Sequence, residues 1–282
     1  MTNPITFKIL ADIAENLSGE EVTFPTFLDI TMRVRAALKN PHLNVEQLAK
    51  LVGVEPLMSA KIIRMANSVA MNPSGIVVAD VKSAIVRIGI EAVRTVSFAV
   101  AMEQLIQSRQ MRVFVDLSRA VWKHTAHVAA LCRVLANKWA RGVNGDEAMF
   151  AGMVHDIGVF YLLSHAARYP ELVSNKEELF SLLVGWHDNI GHALLSALGQ
   201  PESILAAVQE HEQDRNIGAN PTLSDVLFVA NKIANSISPW HDDAIDEGEA
   251  ARLANIIDAQ TMQAILAESE EEVLSLKHAL SA

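Results

Sequence analysis

The chain has 282 residues and is 50% hydrophobic, enough to build a sizeable core, so disorder is excluded as the default. A formal net charge of -10, from 23 basic and 33 acidic residues, disfavours a phosphate-tracking groove as the main feature of the surface. The single cysteine, Cys132, excludes an intramolecular disulfide and a cysteine-rich zinc site and fits a reducing compartment. With no secretory leader in the first residues and no run of about 18 apolar residues, a cytoplasmic protein that does not span a membrane is expected.

Ile5, Ile9, Leu10, Ile13 and Leu17 recur at helical spacing, with Lys8, Asp12 and Glu15 on the other side, so the chain opens on an amphipathic helix stopped at Ser18-Gly19. Phe24-Pro25-Thr26 is extended, because the residue before proline avoids the helical well. A second helix follows through Phe27, Ile30, Val34 and Leu38 to Asn40-Pro41. Val45 to Val52, closed by Gly53, and a helix opened by Pro56 that runs to about Asn67 form a pair of the helix-turn-helix type. Lys61 and Arg64 would be its cations, but they stand among Ile62, Ile63, Met65 and Ala66, and the acidic balance favours packing over nucleic-acid contact.

Val81 to Ile88 is the next helix, and Gly89 separates it from a long one starting at Glu91 that is apolar over most of its circumference and so should run through the middle of the protein. Residues 108 to 112 mark the expected boundary between an N-terminal lobe, 1–110, and a second lobe, 111–282. The second lobe reads as one or two helices over Val113 to Trp139, a turn at Gly142 to Asp146, and a helix containing Ala151-Gly152-Met153-Val154-His155-Asp156-Ile157-Gly158-Val159. A segment ending at Tyr169-Pro170, a helix over Lys176 to Trp186, a new start at Asn189 to His192 and helices over Ile204 to His211 and Leu223 to Ile237 come next. Two acidic amphipathic helices, about 247 to 257 and 259 to 280, close the chain, so the fold class is all-α.

His155-Asp156 interrupts an apolar run, and burying either group without a partner would cost several kcal/mol. His124, His187 and His211 occupy helical segments on either side, and one shared pocket would account for them all. First-row metals and zinc accept imidazole and carboxylate, and an adjacent His-Asp can give both to one ion or let the carboxylate bridge two. A metal held in this way suits phosphoester hydrolysis. The other reading of Asp156 is a hydrogen-bonding partner of a nearby His or Arg in a buried polar cluster.

Phe24-Pro25, Asn67-Ser68, Ile88-Gly89-Ile90-Glu91-Ala92-Val93-Arg94 and Trp122-Lys123-His124-Thr125, followed by His155-Asp156, together resemble the HDOD family over roughly residues 20 to 215. These are output modules of bacterial signalling related to the HD-domain phosphohydrolases. The resemblance implies an N-terminal helical lobe packed on an HD-like helical lobe. It carries the HD ligand pattern onto His124, His155 and Asp156, puts His187 and His211 where two-metal members have further histidines, and puts Asn231 where a closing aspartate belongs.

Asn231 is therefore a departure: an amide carries no charge, and one anion fewer weakens the hold on a divalent cation such as Fe, Mn, Zn or Mg. Val159 stands where the HD-GYP enzymes have lysine, and no Gly-Tyr-Pro follows His211-Glu212. The resemblance thus implies a signalling output module, acting through a protein partner of a bacterial signalling pathway or through its own assembly, with a degenerate metal site. The alternative is a metal-dependent phosphohydrolase acting on a nucleotide or a cyclic dinucleotide.

Overall fold

A computed structural model describes residues 4–18, 29–234, 239, 253 and 256–280. Among them the chain is helical and contains no strand. Phe24-Pro25-Thr26, Phe27, the stop at Gly19, and nearly all of the helix expected over 247–257 lie outside the described residues.

The N-terminal helices are α1 (Pro4–Ser18), α2 (Asp29–Leu38), α3 (Val45–Gly53), α4 (Pro56–Ala66), α5 (Val81–Ile88) and α6 (Ile90–Gln107). Local chemistry sets their ends. Asn44 and Gln47 form a reciprocal capping box on α3, Pro56 occupies the first turn of α4, and the Asp80 carboxylate accepts from the Ser83 N–H to start α5. Gly89, at φ +88, lets the chain turn directly from α5 into α6, a conformation that side chains rarely adopt. Between α4 and α5, the Asn67 side chain brackets Val78, donating to its carbonyl at 2.7 Å and accepting from its N–H at 2.9 Å. Arg87 donates to the Ala66 carbonyl at 3.0 Å, so it serves a helix end and not an acid.

Helix α6 packs against α2, α4, α5 and α8 and is buried nearly all round, as its apolar circumference predicts. Lys61, a cation of the helix-turn-helix reading, is sealed in the interior and pairs with Glu103 of α6 at 2.6 Å, so it does not face a ligand on the surface.

A 3₁₀ turn, Gln110–Phe114, leads into α7 (Val115–Lys138), α8 (Gly145–Val154), α9 (Ile157–Ala166), α10 (Pro170–Ser174), α11 (Lys176–Ala197), α12 (Glu202–Glu210), α13 (Leu223–Ile233) and α14 (Ala259–Leu280). Three of these differ from expectation. His155-Asp156 is not inside a helix but forms the break between α8 and α9, with Asp156 at φ -94 and ψ 16. Pro170 opens α10 instead of ending a segment, which is the position where its missing N–H costs nothing.

Helix α11 is continuous across Gly185 and Gly191, where a break near Asn189 was expected. Glycine inside a helix costs about 1 kcal/mol. Packing opposes that cost here, because Gly191 lies against Gly158: a Cβ on Gly191 would come within 3.5 Å of the Gly158 nitrogen.

One buried apolar cluster extends from Ile9 in α1 to Leu276 in α14. Helix α14 packs on both α7 and α4 through residues that include Ile265 and Leu276. Arg133 of α7 donates to Glu272 of α14 at 3.0 Å, lies 3.7 Å from Asp146 of α8, and lies 3.6 Å from the sulfur of Met71. No helix among the described residues is long and apolar enough to cross a membrane.

Candidate metal centre

The centre forms where α7, the α8–α9 break, α11, the end of α12 and α13 meet. Two glycines allow that approach. A Cβ on Gly152 would lie 2.6 Å from the Ala129 Cα, so only glycine lets α8 press against α7 and bring His155 beside His124. A Cβ on Gly158 would lie 1.9 Å from the His187 carbonyl oxygen, so α9 touches α11 backbone to backbone and carries Asp156 to His187.

The structure brings His124, His155, Asp156, His187, His211 and Asn231 together, all of them buried. In three of the rings Nδ1 faces a carbonyl oxygen of the preceding turn: His155 to Gly152 at 2.8 Å, His187 to Leu183 at 2.9 Å, and His211 to Val208 at 2.6 Å. A carbonyl only accepts, so Nδ1 carries a proton in each ring and Nε2 is the atom turned towards the centre. The three Nε2 atoms surround the Asp156 carboxylate. His155 Nε2 lies 3.2 Å from Oδ2, and the Nε2 atoms of His187 and His211 each lie 3.9 Å from Oδ1 and 3.4 Å from one another.

His124 belongs to the same cluster as His155 and Asp156 and also meets Asn231. Its Nε2 lies 3.0 Å from Asn231 Oδ1, and its Nδ1 makes no well-formed hydrogen bond. Neither His155 Nε2 nor Asp156 Oδ2 makes a well-formed hydrogen bond, although both are buried. Unmatched lone pairs in an enclosed space are costly unless a proton or a cation joins them.

The same arrangement governs titration. Burial drives His124 down to about 4 despite the nearby Asp156, and burial followed by the His155 and His187 charges puts His211 well below its ordinary value. Burial opposes charging of His155 as well, but the adjacent Asp156 outweighs it and raises that ring. Burial would raise the Asp156 carboxyl, yet the imidazoles, His155 first, hold it far below the usual carboxylate range. The neutral His124 and His211 rings and the ionised Asp156 carboxylate are the protonation states that a metal requires.

The donor set fits a divalent cation. Asp156 and His155 with His124, and Asp156 with His187 and His211, form two groups that share the carboxylate. An ion there would supply Lewis-acid polarisation of a bound phosphoryl oxygen. Glu212, to which the sequence reading gave no role, also reaches the centre: its Oε1 lies 3.6 Å from His187 Nε2, and its side chain is 30% exposed. Cys132 is buried and its thiol is pushed up by burial, consistent with a core residue.

The sequence profile of the HDOD domain matches residues 24–214. The chain belongs to the HDOD family. Solved structures share the fold of this HDOD chain. One is a Shewanella amazonensis SB2B protein named as a metal-dependent phosphohydrolase, 24% identical, with TM-score 0.76 over 96% of this chain and 99% of that one. Another is an HDOD domain protein of unknown function from Geobacter sulfurreducens, 16% identical, with TM-score 0.65 over 97% of this chain and 98% of that one. A third is a Marinobacter aquaeolei VT8 protein named for signal transduction, 14% identical, with TM-score 0.63 over 98% of this chain and 66% of that one. No curated protein matches. The HDOD match stops short of Asn231, so the partner of His124 comes from a helix beyond the matched segment.

Proposed function

We propose that this HDOD protein is a signalling output or adaptor module, with an N-terminal lobe over 1–110 and an HD-like lobe over 111–282, that acts by binding a protein partner and not by turnover. One observation carries this reading: the HD-type donors are sealed. His124, His155, Asp156, His187 and His211 are at most 2% exposed, and the position of the closing acid holds the amide of Asn231. Catalytic metal sites keep an open coordination position for substrate, whereas closed sites hold structure. A cation here would set the spacing of α7, α9, α11 and α12, and so the shape of the surface those helices present to a partner.

Metal analysis of protein purified without chelator, followed by assay against nucleotide and cyclic-dinucleotide phosphoesters, tests the reading. The expected result is no turnover, together with partner capture by the full chain that weakens on the substitution Asp156→Asn, which removes the carboxylate shared by both donor groups. Hydrolysis abolished by Asp156→Ala would sink it in favour of the phosphohydrolase alternative, which the intact His-Asp donor set supports.

A further inference from the structure

The two groups that share Asp156 are not equivalent. In the first, His124 Nε2 already faces Asn231 Oδ1 at 3.0 Å, and His155 Nε2 and Asp156 Oδ2 lie 3.2 Å apart without a well-formed hydrogen bond. Whichever way the Asn231 amide is turned, the His124 Nε2 is occupied. Asp156 is the one anion in that group.

The second group is spaced differently. His187 Nε2 lies 3.4 Å from His211 Nε2, 3.9 Å from Asp156 Oδ1 and 3.6 Å from Glu212 Oε1, and His211 Nε2 lies 3.9 Å from Asp156 Oδ1. Most of these separations are too long for hydrogen bonds. They are close to the edge of a tetrahedron, about 3.4 Å, around an ion whose nitrogen and oxygen ligands stand at about 2.0 to 2.1 Å. Four of the six edges of such a figure are therefore already present, and Glu212, which stands beside His187 but outside the set of mutually close donors, closes the other two by a movement of its partly exposed side chain.

Glu212 is kept there by its neighbours. His211 is fixed through Nδ1 to the Val208 carbonyl at 2.6 Å, and the Gln213 N–H donates to the Glu210 carbonyl at 3.0 Å. Arg215 then pairs with Glu210 at 3.2 Å and with Asp225 at 2.8 Å, where Asp225 completes the capping box of α13. Arg215 thereby occupies Glu210 and anchors the chain just beyond Glu212.

Resting on the reading that the centre takes a cation, we propose that Glu212 supplies the anionic ligand that Asn231 does not. This chain then holds one zinc-class divalent ion between Asp156, His187, His211 and Glu212, with Glu212 as the ligand facing solvent.

The test is calorimetric titration of metal-stripped full-length protein with Zn(II) at neutral pH, alongside the visible spectrum of the Co(II) form. One equivalent binds the wild-type chain, and Co(II) gives the intense absorption of a four-coordinate ion. Glu212→Gln weakens binding by about tenfold or more, as loss of a ligand-shell anion should. Glu212→Asp recovers part of that loss, and Asn231→Ala leaves affinity nearly unchanged.

The assignment is overturned if Asn231→Ala weakens binding as much as Glu212→Gln, if the Co(II) spectrum is that of a six-coordinate ion, or if the wild-type chain binds no zinc. Absence of binding leaves the adaptor reading standing. Phosphoester turnover removes the adaptor reading and leaves the Glu212 assignment intact, so the two failures are distinguishable.

Discussion

Lys61 and Asp156 are both charged and both sealed from solvent, and the molecule treats them differently. Lys61 has a carboxylate of its own: Glu103 reaches it at 2.6 Å and ties α4 to α6. Asp156 is ringed by imidazoles, with His155 at 3.2 Å and His187 and His211 at 3.9 Å, and its Oδ2 and the His155 Nε2 remain without well-formed hydrogen bonds. A buried charge with one counter-ion holds two helices together. A buried charge among several lone pairs leaves room for something further to bind.

Acid should expose that difference most strongly. His124 and His165 are held near 4 by burial and His211 lies well below its ordinary value, so the unfolded chain takes up these protons below about 6.5 while the folded chain does not. Their contribution to stability is lost as pH falls from about 6.5 towards 4, at about 1.4 kcal/mol per pH unit for each proton. The depressed Asp156 carboxyl acts in the same direction, adding stability above the usual carboxylate range that is lost as it protonates. The raised His155 works against them, since its stabilisation is present at low pH and lost as pH rises. Urea denaturation of metal-free protein between pH 7.5 and 4.5 should show a steep fall in midpoint, and a flat profile would mean that these rings do not stay neutral in the folded chain.

Lys61→Met should cost about 3 kcal/mol in the same denaturation assay, because it leaves Glu103 without its partner, and the double substitution with Glu103→Leu should recover most of the loss. No recovery would mean that Lys61 matters for more than its counter-ion. Gly158→Ala comes next. The added Cβ would meet the His187 carbonyl oxygen, so about 2 to 3 kcal/mol of overpacking is expected, together with weaker zinc uptake as His187 moves from Asp156. Glu46→Gln is the smallest. Its pairs with Lys50 at 3.4 Å and Lys82 at 3.8 Å are solvent-exposed, and their loss should change stability by less than about 0.5 kcal/mol.

Much of the helical order is legible because its signals are local. Pro56, Asp80 and Asn175 mark helix starts that need no knowledge of the rest of the chain. The continuity of α11 is not local: the cost of Gly185 and Gly191 can be read in the sequence, but the contact of Gly191 with Gly158 that opposes it cannot. The centre is of mixed kind. Its histidines stand out as polar residues in apolar helices, yet only the family pattern links His124 to residues as distant as His211. Glu212 is indistinguishable from Glu210 by composition, and the difference arises because Arg215 folds back onto one of them.

Helix α14 also bears on where this protein can be cut. The profile match ends at residue 214, but α14 lies against both α4 and α7, its Glu272 binds Arg133, and α13 provides the amide that faces His124. A fragment ending at the family boundary would leave apolar surface on two helices uncovered and strip Arg133 and His124 of partners. The packed helices extend beyond the segment that sequence similarity delimits, so a fragment cut at residue 214 should be less stable than the full chain.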